Sequence, residues 1–460
     1  MRAILKIPLT LGEIINATEA FANGKDKNKI ITAITTDTRE MERGDLFIAL
    51  PGDRYDGEAF CSQAETLGCE FISAKNNSGL LVKSTRIALL AIVKLYKSKL
   101  KYLKRTVAIT GSVGKSTTKE MLGSMLSQNK AHLTPDNYNN YVGLSYTVLS
   151  APENTEYLIL ELGTNHPGEI EEMSLSIEPD VAVITKIGTA HIGSFGSREM
   201  IAKAKLEIRS GLTKTGVLLI PDGEPLLPRS PEIKTVSDSY GVGDYSLVSL
   251  SGDNAKTEVS FTSSSVQLRA VCSIFGEGNL RALAFATACM CEIGFEASSI
   301  IRGFSLISPK NTRQNVYYWK NRILIDDSYN ASFESIVNAF GLMKFYTGRR
   351  CAVLGDVLEL GCETESIHYK IGSEAVNHGI ELLFLLGVYA PFIERGALSA
   401  GMSAERIFVN TDVTSPLLTV EKIKAETMPG DVVLFKASHR CDFTGLCKAL
   451  REGKETDDAG

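Results

Sequence analysis

Apolar segments long enough to cross a membrane are missing from this chain. The first residues carry Arg2 and Lys6 and reach Pro8 before an apolar core of signal-peptide length forms. No later segment approaches the roughly 20 residues that a transmembrane helix needs. We therefore expect neither a signal peptide nor a membrane span, and we expect a cytoplasmic protein.

Paired cysteine motifs and a strong net charge are also missing. The nine cysteines are odd in number and scattered, and none forms a C-x-x-C pair, which argues against a disulfide framework and a zinc knuckle and favours a reducing compartment. A formal net charge of -5 gives no basic surface for nucleic acid. We expect small-molecule partners, no nucleic acid, and a monomer.

The rest of the composition is typical of a multidomain globular protein. A chain of 460 residues, 44% of them apolar, is too long for one ordinary hydrophobic core. Short strands and turns occupy about residues 30–75, and a helical pattern follows from about Leu80 to Leu103. Beyond it, strands alternate with helical segments, which predicts parallel sheets covered on both faces.

The expected fold class is therefore α/β, with three domains. Residues 1–104 are expected to form a small mixed α/β domain, and residues 105–308 a central domain with a mostly parallel sheet. Residues 309–460 are expected to form a Rossmann-like, doubly wound domain.

A glycine-rich loop follows a predicted strand at Thr106–Thr110. The loop reads Gly111-Ser112-Val113-Gly114-Lys115-Ser116-Thr117 and leads into a predicted helix. In this context the glycines let backbone N–H groups point inward, Lys115 can bind the β- and γ-phosphates, and the Ser116 hydroxyl can bind Mg²⁺. The commonest eight-residue form has glycine where this chain has Ile109. We predict a variant phosphate loop that binds a nucleoside triphosphate.

Two further side chains follow strands at the same expected sheet edge. Glu161 ends the apolar segment 157–160, and His191 comes shortly after the segment 181–186. Because ligands bind at the carboxyl ends of strands in open α/β sheets, Glu161 is a candidate Mg²⁺ ligand beside the phosphate loop. A loop histidine is more often a surface or capping residue than a ligand, so His191 is a candidate through its position alone.

Lys203 and Lys205 lie on a predicted helix. Their spacing from Glu199 and Glu207 is typical of a solvated helix face with ion pairs. From spacing alone, neither lysine is predicted to be functional.

These residues, with others along almost the whole chain, resemble the Mur ligase family. The phosphate loop is shared by all Mur ligases and by the folylpolyglutamate synthetases, whereas the runs at 326–331 and 355–361 are typical of the members that add D-alanyl-D-alanine. The resemblance is carried by Asp37-Thr38-Arg39, Gly44-Asp45-Leu46-Phe47, Asp56-Gly57, Thr110 to Thr117, Asn137-Tyr138-Asn139-Asn140, Glu161-Leu162-Gly163, Gly168-Glu169-Ile170, Ala190-His191, Lys205, Asp326-Asp327-Ser328-Tyr329-Asn330-Ala331, Gly355-Asp356, Glu359-Leu360-Gly361, Gly430-Asp431 and Lys436.

The resemblance implies an ATP-dependent ligase that joins a carboxylate to an amine through an acyl phosphate in peptidoglycan precursor synthesis. It implies UDP-N-acetylmuramoyl-tripeptide and D-alanyl-D-alanine as substrates. The first domain would hold the uridine nucleotide, the central domain would be the ATPase, and the last domain would bring the dipeptide and close over ATP. A sister Mur ligase, a folylpolyglutamate-type ligase and a non-catalytic nucleotide-binding scaffold of the same fold remain as alternatives.

The resemblance also implies roles for individual residues. Lys205 would be carbamylated and would bind a second Mg²⁺ with Glu161 and His191, which reverses the interpretation from spacing. The expected catalytic residues are Lys115, Lys205, His191 and Glu161, and the expected metal ligands are Ser116, Glu161, His191 and Lys205. ATP would contact the loop from Gly111 to Thr117 together with Asn279, Arg313 and Asp327. The substrates would contact Thr38, Arg39, Asp56, Asn137, Asn139, Asn140, Tyr329 and Asn330. The general base is not assigned, although His191 is a candidate if it binds no metal.

The chain departs from the family pattern at Lys186, Pro221 and Ala437, and in one longer segment. The family's G-x-H-N-x-x-N run reads Gly276-Glu277-Gly278-Asn279-Leu280-Arg281-Ala282 here. Gly278 and Ala282 thus replace a histidine and an asparagine, and the change bears on the adenine site.

Overall fold

A computed structural model of the chain describes residues 1–52, 56–238, 242–252, 256–308, 315–413, 416–441 and 443–452. Within these ranges the strands form three sheets, of five, nine and six strands. We call them the N-terminal, central and C-terminal sheets. No helix in the described ranges combines the length and apolar character needed to cross a membrane.

The N-terminal sheet is mixed, because its first strand is antiparallel and the others are parallel. Its strands, in spatial order, are β1 (Arg2–Thr10), β2 (Ile30–Thr35), β3 (Leu46–Ile48), β4 (Glu70–Ser73) and β5 (Leu80–Leu81). Its helices are α1 (Leu11–Thr18), α2 (Cys61–Leu67) and α3 (Thr85–Ser98). The helix predicted from Leu80 to Leu103 is therefore too long. It begins only at Thr85, because the Ser84 side chain accepts a hydrogen bond from Ile87 N and caps it.

The central sheet is parallel apart from its last two pairings, which are antiparallel. Its strands are β6 (Arg105–Thr110), β7 (Ala131–Leu133), β8 (Tyr157–Glu161), β9 (Val181–Ile184), β10 (Val217–Pro221), β11 (Ile233–Ser237), β12 (Tyr245–Gly252), β13 (Thr257–Ser263) and β14 (Gln267–Cys272). Its helices are α4 (Lys115–Met125), α5 (Tyr141–Leu149), α6 (Glu169–Ile177), α7 (Ile192–Phe195), α8 (Arg198–Leu206), α9 (Glu277–Glu292) and α10 (Ala297–Leu306). Leu158 and Leu160 pack into one apolar cluster and Ile159 into another, so β8 is buried on both faces.

The C-terminal sheet is parallel except for its first strand. Its strands are β15 (Asn315–Trp319), β16 (Arg322–Asp326), β17 (Arg350–Gly355), β18 (Leu382–Leu386), β19 (Ile407–Asn410) and β20 (Val432–Lys436). Its helices are α11 (Phe333–Met343), α12 (Thr364–Asn377), α13 (Ala390–Ser399), α14 (Pro416–Glu426) and α15 (Phe443–Glu452). The α/β fold class is confirmed. The boundaries at 104/105 and 308/309 stay predictions, and residues 309–314 lie outside the described ranges.

The strand order brings the candidate residues to one edge. In the central sheet β6 lies between β9 and β8, and all three are parallel. Their carboxyl ends therefore place the phosphate loop, Glu161 and the segment after β9 side by side. In the C-terminal sheet β16 pairs with β20, so Asp327 and Lys436 also meet at one edge.

Candidate active site

The phosphate loop joins β6 to α4. Gly111 and Gly114 have φ angles of 145° and 93°, which side chains rarely adopt, and a Cβ at Gly111 would lie 2.0 Å from Thr185 Oγ1. Gly114 precedes the first residue of α4 and has no side chain to cap the helix. An anion in the cavity that this loop lines would meet backbone N–H groups at the positive end of a helix.

The segment that follows β9 holds the loop in place. Ser112 N donates to Lys186 O at 2.8 Å, and Gly188 N donates to Ser112 Oγ at 2.9 Å. Thr185 Oγ1 donates to Val113 O at 2.6 Å. The loop conformation is therefore held by three hydrogen bonds to residues 185–188.

We expect Gly111→Ala to lower the free energy of unfolding by about 1–3 kcal/mol, because the methyl group would displace Thr185 and the φ angle is strained for alanine. ATP affinity should fall as well, since Thr185 holds the loop. Thermal unfolding and ATP titration measure the two effects. In the control, Gly341→Ala, the new methyl group meets open space on α11 and should be neutral or stabilising. If Gly111→Ala kept the unfolding free energy and the ATP affinity of the parent, the loop backbone could adopt another conformation without loss, and the expectation would be wrong.

Glu161 ends β8 and is buried next to the phosphate loop. Its Oε2 accepts from Ser116 Oγ at 2.5 Å, and its Oε1 accepts from Asn139 Nδ2 at 2.9 Å. The buried ammonium of Lys119 lies 4.0 Å from Oε2 and donates to Thr134 O at 2.7 Å. Lys119 thus offsets the buried negative charge of Glu161 while two polar groups fix the carboxylate plane.

Lys205 is buried in α8, contrary to the interpretation from spacing. Only 4% of Lys205 is exposed, whereas Lys203 on the same helix is exposed. Burial, with the nearby charge of Lys115, lowers the pKa of Lys205 to about 7. A large share of this amine is therefore uncharged at neutral pH, unlike a surface lysine.

His191 lies in the same cavity, in the left-handed conformation with φ of 63°. Burial lowers its pKa, and the charges of Lys115 and Lys205 act in the same direction, while Glu359 opposes them. Its Nδ1 lies 2.5 Å from Glu359 Oε2, which belongs to the segment after β17. The neutral imidazole is therefore favoured here.

The C-terminal sheet supplies the opposite wall of the cavity. Asp327 Oδ2 lies 2.8 Å from the buried Lys436 Nζ, which also donates to Asn330 O at 3.1 Å. The rings of Tyr329 and His439 lie 5.5 Å apart between their centres. Lys436 thus ties the segment after β16 to the end of β20 and fixes where Asp327 and Asn330 lie.

These groups surround one cavity of about 470 Å³ between the central and C-terminal sheets. The four predicted catalytic residues all line it. So do the other predicted residues Ser112, Val113, Gly114, Ser116, Thr117, Asn137, Asn139, Asn140, Asn279, Asp327, Tyr329 and Asn330. The roles assigned to them stay predictions, but their proximity is a property of the fold.

Other predicted residues lie elsewhere. Four of them are not among the described residues that line the cavity: Gly111, the first residue of the loop, and Thr38, Arg39 and Asp56 of the N-terminal domain. Arg39 pairs with Asp37 at 2.6 Å, and its guanidinium holds the pKa of Asp37 well below the usual range. Arg313 falls outside the described residues.

Sequence patterns missed several residues that hold the site. Lys119 lies one turn after Lys115 on α4, and that spacing was the only signal for it. For Thr185, the only signal in the sequence was its position after β9. Glu334 contacts Thr189, and Glu359 contacts His191, so both partners are distant in sequence and no local pattern predicts these contacts. Glu359 was singled out only as part of the run at 355–361 that carries the family resemblance.

The segment that departs from the family pattern lines one end of the cavity. Gly278, Asn279 and Ala282 contribute, with Asn338 from α11 opposite them. A Cβ at position 278 would lie 3.2 Å from Asn338 Nδ2. Asn338 therefore takes up room beside position 278, and a histidine side chain would require it to move.

Comparison with known families gives matches along most of the chain. Residues 30–102 match the Mur ligase family catalytic domain, residues 109–290 the Mur ligase middle domain, and residues 312–439 the Mur ligase glutamate ligase domain. Among solved structures, MurF from Acinetobacter baumannii superposes with a TM-score of 0.86 at 27% identity, covering 98% of this chain and 100% of that one. MurF from Thermotoga maritima in complex with ADP gives a TM-score of 0.80 at 25% identity, covering 91% and 97%.

Among curated relatives, the UDP-N-acetylmuramoyl-tripeptide–D-alanyl-D-alanine ligase of Bacillus subtilis is 34% identical over 457 residues. The alignment covers 96% of this chain and 97% of the relative, so the similarity spans all three sheets. Identity at this level across nearly two whole chains, together with the three domain matches, shows that the chain belongs to the Mur ligase family.

Proposed function

We propose that this chain is an ATP-dependent ligase that adds D-alanyl-D-alanine to UDP-N-acetylmuramoyl-tripeptide through an acyl phosphate. The observation that carries the proposal is one cavity in which the phosphate loop, Glu161, His191 and a buried Lys205 face the carboxyl ends of β16 and β20. The names of the most similar relatives supply the two substrates. The ADP complex of a neighbour supports the use of ATP.

The first step would transfer the γ-phosphoryl group of ATP to the terminal carboxylate of the tripeptide. A carboxylate oxygen attacks the phosphorus, the bond to the β-phosphate oxygen breaks, and ADP leaves. The carboxylate gains a phosphate leaving group in place of an oxide that does not leave. Lys115 would offset the charge of the two anions as they meet, because it lies at the phosphate loop.

The donor set near the loop fits Mg²⁺. A hydroxyl and a carboxylate are oxygen ligands of the kind Mg²⁺ binds, and Ser116 Oγ and Glu161 Oε2 are already 2.5 Å apart. When bound there, Mg²⁺ would offset the negative charge of the phosphates. Asn139 and Lys119 would keep Glu161 oriented whether or not the ion is present.

Lys205 is proposed to carry a carbamate. An uncharged lysine amine adds to CO₂ and releases a proton, which converts a base into an anion. The pKa of about 7 supports this step, because the protonated amine could not react. With Glu161 and His191, the carbamate would complete the ligands for a second Mg²⁺.

The second step would join the amine of D-alanyl-D-alanine to the acyl carbon, with loss of phosphate. The C-terminal domain is proposed to bring the dipeptide, with Tyr329 and Asn330 near it, and Asp327 would bind the ATP ribose. Closure of this domain over the cavity would keep water from the acyl phosphate. Arg313, outside the described residues, is proposed to bind the phosphates.

The N-terminal domain is proposed to hold the uridine nucleotide through Thr38, Arg39 and Asp56. Residues 1–104 would thus fix one end of the first substrate while its peptide end reaches the central cavity. We propose that the reaction takes place in the cytoplasm.

The test is to incubate the protein with ATP, D-alanyl-D-alanine and UDP-N-acetylmuramoyl-tripeptide ending in either diaminopimelate or lysine. We expect phosphate release only when both substrates are present, with a product heavier by one dipeptide less one water. UDP-N-acetylmuramoyl-dipeptide with a diamino acid, and a folate with glutamate, are the matched comparisons. Ligation of one of those pairs alone would overturn the substrate assignment, and ATP binding without any ligation would favour a scaffold.

A further inference from the structure

The segment from Lys186 to Gly193 connects the phosphate loop to the C-terminal domain. On one side, Lys186 O and Gly188 N bond to Ser112, as described above. On the other side, Glu334 accepts from Thr189 N at 2.8 Å and from Thr189 Oγ1 at 3.2 Å. A few residues therefore lie in contact with both the nucleotide-binding loop and the opposing domain.

Glu359 makes the second contact with this segment. Its Oε2 lies 2.5 Å from His191 Nδ1, and its carbonyl oxygen accepts from Gly193 N at 3.0 Å. The Nδ1 atom is shielded from solvent and contacts the Glu359 carboxylate, although the geometry is not that of a formed hydrogen bond. Glu359 thus contacts the segment through its side chain and accepts a hydrogen bond from it through its backbone carbonyl.

The two domains approach so closely here that side chains would not fit. A Cβ at Gly193 would lie 2.7 Å from Gly361 N, and a Cβ at Gly361 would lie 2.8 Å from Gly193 Cα. A Cβ at Gly188 would lie 2.7 Å from the Glu334 carboxyl carbon. At Gly193 and Gly361 the two domains thus meet backbone to backbone, whereas at Gly188 the neighbour is the Glu334 side chain.

Residues 356–358, which precede Glu359, are held by hydrogen bonds to other residues of the C-terminal domain. Asp356 accepts from Val388 N and Tyr389 N, each at 3.0 Å. Val357 N donates to the buried His368 Nε2 at 3.1 Å, and Leu358 N donates to Ser438 Oγ at 2.9 Å. Glu359 itself has a φ of 64°, which these bonds hold. The backbone from Asp356 to Leu358 is therefore fixed within the C-terminal domain, and Glu359 follows directly after it.

Resting on the proposed function, we propose that Glu359 is a positioning residue that reaches across the domain contact and fixes the ring of His191 for the reaction. A carboxylate that accepts from Nδ1–H leaves Nε2 as the nitrogen with the free lone pair. His191 would then be oriented only while the C-terminal domain is docked. Docking and completion of the site would be the same event.

The test compares Glu359→Ala with Glu359→Gln, because glutamine keeps an oxygen that accepts from Nδ1–H. We expect Glu359→Ala to lower kcat by roughly 10-fold to 100-fold, with little change in the KM for the uridine nucleotide substrate, which the N-terminal domain would bind. Glu359→Gln should keep most of the kcat of the parent. Glu365→Ala on α12, which breaks an exposed ion pair with Arg395 on α13, serves as the matched control and should behave like the parent.

A readout independent of turnover is the binding of Mn²⁺, followed by electron paramagnetic resonance in the presence of a non-hydrolysable ATP analogue. Glu359→Ala should weaken Mn²⁺ binding by roughly 10-fold to 100-fold, and glutamine should restore it. Equal kcat values and equal Mn²⁺ affinities in the parent and Glu359→Ala would overturn the positioning role. So would equal defects in the alanine and glutamine variants. A parent that ligates none of the substrate pairs would instead overturn the proposed function.

Discussion

We expect Lys115→Ala to lower the rate of ATP-dependent phosphate release by roughly 1000-fold. Lys115 is the first residue of α4, its Nζ donates to Gly111 O at 2.9 Å, and its side chain lines the cavity with Glu161. The γ-phosphoryl group and the attacking carboxylate are both anions, so loss of this cation raises the barrier to their approach. The measurement is the initial rate with both substrates saturating.

Two further variants serve as comparisons for Lys115→Ala. Lys115→Arg keeps a positive charge but replaces a compact ammonium with a planar guanidinium, so its rate should lie between those of the parent and alanine variants. Lys203→Ala removes an exposed lysine and should leave the rate unchanged. Thermal unfolding establishes that each variant is folded. A folded Lys115→Ala that keeps a rate within about tenfold of the parent would contradict the role of the loop.

The effect of Lys115 extends to Lys205. The charge of Lys115 is one of the causes that lower the pKa of Lys205, after burial. Removing it should raise that pKa and leave less of the amine uncharged. The effects of Lys115→Ala and Lys205→Ala on the activation free energy should therefore not be additive. The double variant should show a smaller increase in the activation free energy than the sum of the two single variants.

The central and C-terminal sheets could be predicted because most of their strands are buried on both faces. Such strands form short apolar segments between glycine and polar residues, as β8 and β18 do. Edge strands are different. In β14 exposed and buried residues alternate, and β15 is only partly buried, so neither forms the continuous apolar segment that marks a central strand.

The candidate site could be predicted where topology brings chain segments together. Glu161 and His191 each follow a parallel strand, and parallel strands share an edge. The burial of Lys205 could not be predicted, because its spacing is that of a solvated face and only packing of α8 removes it from water. The contacts of Glu334 and Glu359 depend on how two domains meet, which no local pattern records.

We expect Lys205→Ala to lower the rate of ligation by roughly 100-fold, because it removes a proposed ligand for the second Mg²⁺. Because the pKa of Lys205 is about 7, the amine is mostly uncharged above that pH and mostly protonated below it. Activity that depends on a carbamate should therefore fall as the pH drops through about 7. Buffers freed of CO₂ should lower the rate of the parent, and bicarbonate should restore it.

The carbamate itself can be observed without turnover. With ¹³C-labelled bicarbonate, the parent should show a carbamate carbon signal in the NMR spectrum that Lys205→Ala lacks. Lys203→Ala should keep the signal, because Lys203 is exposed and is not among the described residues that line the cavity. Burial disfavours the charged form of Lys205, and the uncharged amine is the form that would add CO₂. A labelled signal that survives in Lys205→Ala, or a rate that does not respond to CO₂, would show that Lys205 acts as an amine.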